Sequence, residues 1–557
     1  MHAGDPVPWR LWGAAALDEA RSRRLPLLVS IGFFACAWCH VQQKQSFRDP
    51  AIAALMAREF VPVKVDREID GALDAALQDF AEQRISRRGW PLLVLITPEG
   101  RPAEAELYEP RDATLTTLQA WATRWRADPS GVEREASRWV ASAPGDPVRL
   151  RPDAAHADAL SRRFFSDAMR QADMFEGGFG TVGKFPSAPQ LLALLELQSR
   201  AGSDQSLEFL QLTLEEMQRW GLRHHVWGGF FRYTIDPGWC KPHFEKMLID
   251  NALLALVYLR AAAVLDQPKW RAVALQTLAF MRTALWDSQR GAFASGLSAQ
   301  DAQGVEGARH LWTEAQLGRL LPMDEWALIK RLWAIGGAPP FEHGHLALAA
   351  VDVGSGERDM LARAYQRLRA ARAQQPHPRD DKLLAAGNGL ALVVLSEALP
   401  FDADARRDAA ALFQFIAGSL WDGRQLRKLA GASRPAELDD HAYLAWGLAR
   451  YAVRANHAPA RELGRDIARA AWRQFYSAGW SRERKPLLAG MAPQPMIVDT
   501  HAPSPSALLI LASLELQSKA LRSAALDALS FGGRPGPGAA LHWATQTVAF
   551  GVATAQR

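Results

Sequence analysis

Cys36-Ala-Trp-Cys39 lies where an apolar run, Leu25 to Gly32, meets a helical stretch that continues through His40 to Lys44. Two thiols two residues apart at a helix start can cycle between dithiol and disulfide. The pair constrains fold as well as chemistry, because a strand must deliver it and a helix must hold it. Gly89-Trp90-Pro91 stands just before a second buried-type run, Leu92 to Thr97. Only proline readily forms a cis peptide bond, so a cis Pro91 facing the thiols fits this position, and the sequence leaves the isomer open.

Backbone N–H groups at a helix N-terminus favour an anion, and so thiolate over thiol at Cys36. A free thiol with a pKa near 8.5 is ~3% thiolate at pH 7, whereas one tuned to about 7 is roughly half ionised. Cys36 is therefore expected to be the exposed nucleophile. Cys39, one turn in, is expected to resolve the mixed disulfide. His40 is expected to add positive charge or shuttle a proton, or else to be a surface residue. Other readings compete. A zinc site needs two further ligands, and the only other cysteine is Cys240. Cys36-Ala-Trp-Cys39-His40 also matches the c-type haem attachment pattern, which leaves the strand context and Pro91 unexplained. A catalytically idle pair on the same fold is the third. No metal and no cofactor is expected.

The flanking pattern is that of a small α/β layer structure. Asp49-Pro50 leads into a helix over Ala51 to Glu59, and Phe60 to Val65 reads as a strand. A helix over Gly71 to Gln83 follows, then the Leu92 strand, then a turn at Pro98-Glu99-Gly100-Arg101 into a hairpin strand ending near Tyr108. This is the order of a thioredoxin-like domain, expected over 1–130, with a linker over 131–155.

A chain of 557 residues is too long for one ordinary domain. Hydrophobic content of 48% and charged content of 22% are globular. The net charge of +5 is small for this length and its bases are interspersed with acids, so no nucleic-acid partner is expected. No uninterrupted apolar stretch has membrane-spanning length, so no membrane partner is expected. The polar start and the three cysteines place the chain in the cytoplasm by expectation.

Residues 156–557 read as almost wholly helical, with about a dozen helices carrying apolar residues at three- and four-residue spacing. Glycine-aromatic turns punctuate them at Gly177-Gly178-Phe179, Gly228-Gly229-Phe230, Gly291-Ala292-Phe293 and Gly479-Trp480. Their return at about the length of a helical hairpin is a weak internal repeat. Twelve or so paired helices suit an (α/α)6 toroid better than an α-solenoid, which would show a repeated consensus.

Polar clusters interrupt this body. His243, Glu245 and Lys246 are expected to open a long helix, with Pro242 at its first position, that reaches Asp250 and Asn251. Asp380 and Asp381 precede a second apolar helix containing Asn388, and Asp439, Asp440 and His441 precede a third. One acid per cluster is explained as an N-cap. The doubled acids with a neighbouring histidine exceed that need and suit acid–base work or hydrogen bonds to sugar hydroxyls. Asp499-Thr500-His501 is a fainter case. Cys240 reads as a buried hydrophobe. The chain's twenty tryptophans fit helix packing more simply than sugar stacking.

The segments SIGFFACAWCHV at 30–41, VKVDRE at 63–68, GWPLLVLITPEGRP at 89–102 and GGFGTVGKFP at 177–186 resemble one known family, as do GGFFRYTID at 228–236, PHFEKMLIDNALLA at 242–255, RDDKLLAAGNGL at 379–390 and LDDHAYL at 438–444. It is that of the thioredoxin domain-containing proteins of the spermatogenesis-associated protein 20 type. The resemblance implies a thioredoxin-like domain joined to an (α/α)6 body of the six-hairpin glycosidase and sugar-epimerase kind. Three positions depart from the family. Ala37 stands where it usually has His, Ser298-Ala299-Gln300 replaces an acidic segment, and Gly387 stands where Trp is common. Two functions are expected from these residues. One is thiol–disulfide exchange at Cys36, Cys39 and Pro91 with protein disulfide clients and an external reductant. The other is sugar epimerisation or hydrolysis in the helical body, with a carbohydrate ligand and a regulatory N-terminal domain; a non-catalytic scaffold is the remaining alternative.

Overall fold

The structure is a computed structural model. It describes residues 2–139, 152–337, 339–348, 353–432, 434–477, 479–482, 488–490, 496–530, 535–536 and 538–555. The chain divides into two compact units, Met1–Gly145 with Ser481–Gln494, and Asp146–Trp480 with Pro495–Arg557.

The first unit contains β1 (Arg10–Leu11), α1 (Ala14–Arg23), β2 (Leu27–Gly32), α2 (Ala37–Gln42), α3 (Pro50–Glu59), β3 (Val61–Asp66), α4 (Gly71–Ile85), β4 (Leu92–Ile96), β5 (Pro102–Glu106), α5 (Arg111–Ala127) and α6 (Pro129–Ala136). Its sheet runs β1-β3-β2-β4-β5. β1 and β2 are parallel to β3, while β4 is antiparallel to β2 and to β5. Period-two alternation splits the strands between two cores. Val29, Ile31, Val63, Val94 and Ile96 pack with Leu17, Leu77 and Phe80, and Leu28, Leu93 and Leu95 pack on the other face with Ile52, Met56, Leu118 and Trp121. α3 shows how sequence sets a boundary. Asp49 caps it by accepting from the N–H groups of Ala51 and Ile52 at 2.9 and 3.0 Å, and Pro50 fills the position that has no intrahelical acceptor.

Two boundaries differ from the sequence reading. α6 occupies the start of the expected linker, and of that linker 140–151 lies outside the described residues. The chain also returns to this unit late. Leu488 joins the core beside Trp139, and Ala489 N–H donates to the Gly100 carbonyl at 2.7 Å. A short return segment has no periodicity of its own, so nothing in its sequence marks it.

The second unit contains α7 (Ala154–Gln171), α8 (Ala188–Glu196), α9 (Gln198–Ala201), α10 (Asp204–Arg219), β6 (Tyr233–Thr234), β7 (Pro242–His243), β8 (Lys246–Met247), α11 (Leu248–Val264), α12 (Pro268–Ala284), β9 (Trp286–Asp287), β10 (Ala292–Phe293) and β11 (Gly296–Leu297). It continues with α13 (Glu314–Leu320), α14 (Met323–Leu332), α15 (Ser355–Ala371), β12 (Arg379–Asp380), α16 (Ala385–Ala398), α17 (Ala405–Phe415), α18 (Leu438–Arg454), α19 (Ala458–Phe475), α20 (Pro505–Glu515), α21 (Lys519–Ser530) and α22 (Ala544–Ala555). Among these, α8 packs on α11, α11 on α16, α16 on α18, α18 on α20, α20 on α22 and α22 back on α8, which closes a ring. Helices α10, α12, α17, α19, α21 and α7 back the ring members in turn. Six inner and six outer helices make the expected (α/α)6 toroid, with α13–α15 as an insertion around Trp312, Ile329 and Trp333.

The sequence distinguishes the two layers. Inner helices such as α11 and α16 are buried on all faces, as their continuous apolar runs require. The outer α19 buries a stripe, Ala460, Gly464, Ile467, Ala471 and Phe475, and exposes Arg469 and Arg473. Each fully buried Leu or Ile contributes about 1.5–3 kcal/mol, so the inner layer carries most of the apolar stabilisation. Among the described residues no helix is long and apolar enough to cross a membrane.

Candidate functional site

β2 delivers Cys36 to the start of α2. Cys36 is the N-cap, in extended conformation, and its Sγ accepts from the Cys39 N–H at 3.1 Å. The two sulfurs are bonded to each other, with Cα atoms 5.3 Å apart. The Trp90–Pro91 bond is cis. The carbonyl that precedes Pro91, that of Trp90, is 4.0 Å from Cys36 Sγ. The proline loop is held from α4. Gln78 clamps Gly89 through both amide atoms, at 2.9 and 3.0 Å, and Asp74 accepts from the Trp90 indole at 2.8 Å. Arg67 lies over the Trp90 ring at 4.0 Å.

Two expectations for this centre are corrected. Cys36 is not an exposed nucleophile; it is 4% exposed and Cys39 is 2% exposed. The Trp90 carbonyl closes over the sulfur, and the neighbouring Phe33 ring meets the Trp90 ring edge-on. The exposed residue of the motif is Trp38, at 46%, whose ring leans on Tyr108. His40 is half-buried, and its surroundings disfavour the positive charge. Its Nε2 donates to the Phe34 carbonyl at 2.7 Å, and burial holds its pKa below the usual value, with that hydrogen bond opposing.

The helical clusters are placed differently from expectation. Pro242 does not start a helix. The chain is extended through β7 and β8, and α11 begins only at Leu248, with Met247 as its N-cap. His243 and Lys246 consequently diverge. His243 Nδ1 is 3.0 Å from Glu306 and its ring stacks on Tyr233. Burial lowers its pKa, but Glu306 outweighs burial and raises it. Glu245 forms a buried ion pair with Arg232 at 3.0 Å. Lys246 points the other way, donating to the Gly228 carbonyl at 2.7 Å and reaching His224 Nδ1 at 2.8 Å. Burial holds it well below the usual lysine range.

Asn251 and Asn388 are clamps. Asn251 accepts from the Phe230 N–H at 2.8 Å and donates to the Phe230 and Met247 carbonyls. Asn388 accepts from the Phe293 N–H at 2.9 Å and donates to the Phe293 and Leu384 carbonyls. Each sits at the fourth position of an inner helix and fastens the aromatic residue of a glycine-aromatic turn. Two of the four turns of the weak repeat, those at Phe230 and Phe293, are held by this device. His441 holds the same position in α18 and donates through Nδ1 to the Glu437 carbonyl at 2.8 Å.

In place of an acidic N-cap, α11 and α16 start from Met247 and Leu384, while α18 starts from an acid, Glu437, rather than from an aspartate. Asp440 accepts from the Glu437 N–H at 2.9 Å and pairs with Lys428 at 3.1 Å. Burial raises its pKa despite that partner. Asp439 accepts from the Asp440 N–H at 3.2 Å. Asp380 lies in β12 and pairs with Lys382 at 3.1 Å, while the exposed Asp381 pairs with Arg379 at 2.6 Å. Asp499 takes the N–H groups of Ser504 and Thr545 at 2.7 and 3.0 Å, joining the starts of α20 and α22. Cys240 is half-buried, with its thiol pushed up to about 11 by burial.

His243, Asp380, Asp440 and His441 are thus each engaged by a neighbouring protein group: Glu306, Lys382, Lys428 and the Glu437 carbonyl. Of the expected cavity residues, Asp250 lines a small cavity; with Phe185 and His501 it bounds about 10 Å³, room for roughly one water. Gly387 opens no space either, because a Cβ there would meet Leu248 at 3.0 Å. Sequence reasoning missed a buried basic group around Lys246. The His224 ring lies 4.5 Å from that of His310, which lies 5.2 Å from that of His377. Burial keeps all three well toward the neutral form. These histidines are scattered over more than 150 residues of sequence in no motif, so no spacing points to them.

A thioredoxin-like α/β unit with a Cys-X-X-Cys pair against a cis-proline loop, together with a six-hairpin helical unit, defines the class of protein. Residues 1–143 match the family described as "Thioredox_DsbH: Protein of unknown function, DUF255". The chain is homologous to spermatogenesis-associated protein 20: it is 30% identical to that of Homo sapiens over 446 residues, which cover 70% of this chain and 56% of the relative. The Rattus norvegicus protein of the same name is 30% identical over 445 residues, covering 70% of this chain and 55% of the relative. The chain thus spans about half the length of the curated relatives it matches. Among solved structures, cellobiose 2-epimerase from Spirochaeta thermophila DSM 6192 is similar with a TM-score of 0.48 and 11% identity, over 72% of this chain and 97% of that one. A D-mannose isomerase gives 0.45 and 11%, over 70% and 87%.

Proposed function

We propose that the protein is a thiol–disulfide oxidoreductase acting through Cys36 and Cys39. The observation that carries this reading is the bonded pair at the start of α2, with the carbonyl of the cis-proline loop 4.0 Å from the Cys36 sulfur. In the reduced protein, Cys36 thiolate attacks a client disulfide; one client sulfur leaves as thiolate and a mixed disulfide forms. Cys39 thiolate then attacks Cys36 Sγ, which releases the second client thiolate and restores the Cys36–Cys39 bond. The client gains two electrons and the pair loses two, and an external dithiol returns them. The partners are thus protein disulfides and a dithiol reductant. With Cys36 only 4% exposed, a client disulfide reaches the sulfur when the residues packed around it move aside.

The test is trapping. Cys39→Ser is expected to accumulate mixed disulfides with a peptide disulfide on non-reducing gels, and Cys36→Ser is expected to accumulate none and to lose exchange completely. Equal trapping by both variants, or none by Cys39→Ser, overturns the reading.

A further inference from the structure

We infer that Lys64 takes the proton from the Cys39 thiol, and returns it, in each round of disulfide exchange; this rests on the exchange reading above. β2 and β3 are paired so that Ser30 and Lys64 stand side by side, and Lys64 Nζ donates to Ser30 Oγ at 2.8 Å. Gly32, at the end of β2, leaves a gap that both reactive groups face. A Cβ there would lie 2.9 Å from Cys39 Sγ and 3.8 Å from Lys64 Nζ. The sulfur and the amine therefore both border the position that a side chain at residue 32 would have filled. The remaining sides of the amine face the Trp9 and Phe47 rings, at 5.6 and 5.3 Å.

Among the described residues, the hydrogen-bond partner of the amine is the Ser30 hydroxyl rather than a carboxylate. The charged and titratable groups that act on it are Asp66 on β3, Asp5 before β1, and His2 and His40 at a distance. Asp5 is itself engaged by His2, Trp9 and Gln43. Burial pushes Lys64 down to about 7, with Asp66 and Asp5 opposing. Near neutral pH the group is then divided between amine and ammonium, which suits a proton carrier.

The step balances simply. In the mixed-disulfide state the neutral Lys64 amine accepts the Cys39 S–H proton and becomes ammonium. The Cys39 thiolate forms its bond to Cys36 Sγ as the Cys36–client bond breaks, and the leaving client thiolate takes up a proton from solvent. When a dithiol reduces the pair again, the ammonium returns its proton to Cys39.

The experiment follows the two chemical steps separately in the full chain, using a fluorescent peptide disulfide, acid quenching and mass spectrometry from pH 6 to 10. In the wild type, resolution of the mixed disulfide is expected to rise through about pH 7. In Lys64→Met it is expected to be at least about tenfold slower at pH 7 and to converge with the wild type above about pH 9, where the thiol ionises unaided. The Cys36 attack step is expected to change less than about twofold. Lys64→Arg keeps the charge but cannot give up a proton, so it is expected to match Lys64→Met. Resolution at the wild-type rate in Lys64→Met, or in Lys64→Arg, overturns the inference while leaving exchange intact. Failure of the wild type to form a Cys36 mixed disulfide overturns both.

Discussion

Asn388→Ala is expected to destabilise the helical unit by about 4 kcal/mol, and Asn251→Ala by about the same, because each leaves a buried peptide group with neither partner. Asn388 satisfies both the N–H and the carbonyl of Phe293. Truncation strands one donor and one acceptor, each at a cost of about 1–3 kcal/mol. The third bond, to the Leu384 carbonyl, is less critical because the Asn388 N–H also reaches that oxygen, at 3.2 Å. Asn388→Asp keeps the acceptor and loses the donor, so it is expected to fall between alanine and wild type. Urea unfolding followed by circular dichroism reads these differences. A change below about 1 kcal/mol in Asn388→Ala would show that the side chain is not structural and would return it to the ligand-binding role that sequence assigned.

That misassignment shows where sequence stops being informative. Asn251, Asn388 and His441 were legible as unusual because each is polar inside an apolar helix. Their function was not, because a clamp and a ligand-binding group use the same atoms, and only the partner distinguishes them. The partners Phe230 and Phe293 were also visible, as the aromatic residues of the glycine-aromatic turns, but pairing turn with helix needs the three-dimensional path. The α/β unit was far more readable. Its strands are continuous apolar runs, its thiol pair and Pro91 have few alternative uses, and local signals such as Asp49-Pro50 fix helix starts. Exposure was the failure there. A helix-start cysteine looks accessible in sequence, yet the Trp90 carbonyl that covers Cys36 comes from a loop 54 residues away. Lys64 was hidden for the same reason, since its meaning depends on the register that sets it beside Ser30 and on the gap at Gly32. In the toroid, Pro242 and Glu245 read as first-turn signals and drew the predicted helix back to His243, because such local signals cannot see that β7 and β8 pair with neighbouring strands instead.

Gly389→Ala and Gly447→Ala should each destabilise the ring by roughly 2–3 kcal/mol, against the usual direction for a helical glycine. Replacing glycine by alanine within a helix normally gains about 1 kcal/mol through backbone entropy. Here α16 and α18 cross backbone to backbone. A Cβ on Gly389 would stand 2.5 Å from the Tyr443 carbonyl carbon and 2.6 Å from the Leu444 nitrogen, and one on Gly447 would strike the Gly389 carbonyl oxygen. A flexible side chain could yield, but these atoms belong to two buried helices, so the helices themselves must separate and their packing loosens along its length. Gly418, exposed and with nothing within 4 Å of its Cβ position, is the control: Gly418→Ala is expected to be neutral or slightly stabilising. The double variant Gly389→Ala/Gly447→Ala adds a second test, because separation forced by the first methyl makes room for the second. Its loss should be smaller than the two single losses combined. If Gly389→Ala tracks Gly418→Ala, or if the two crossing substitutions are strictly additive, then close approach of these backbones is not what holds the inner ring at this crossing.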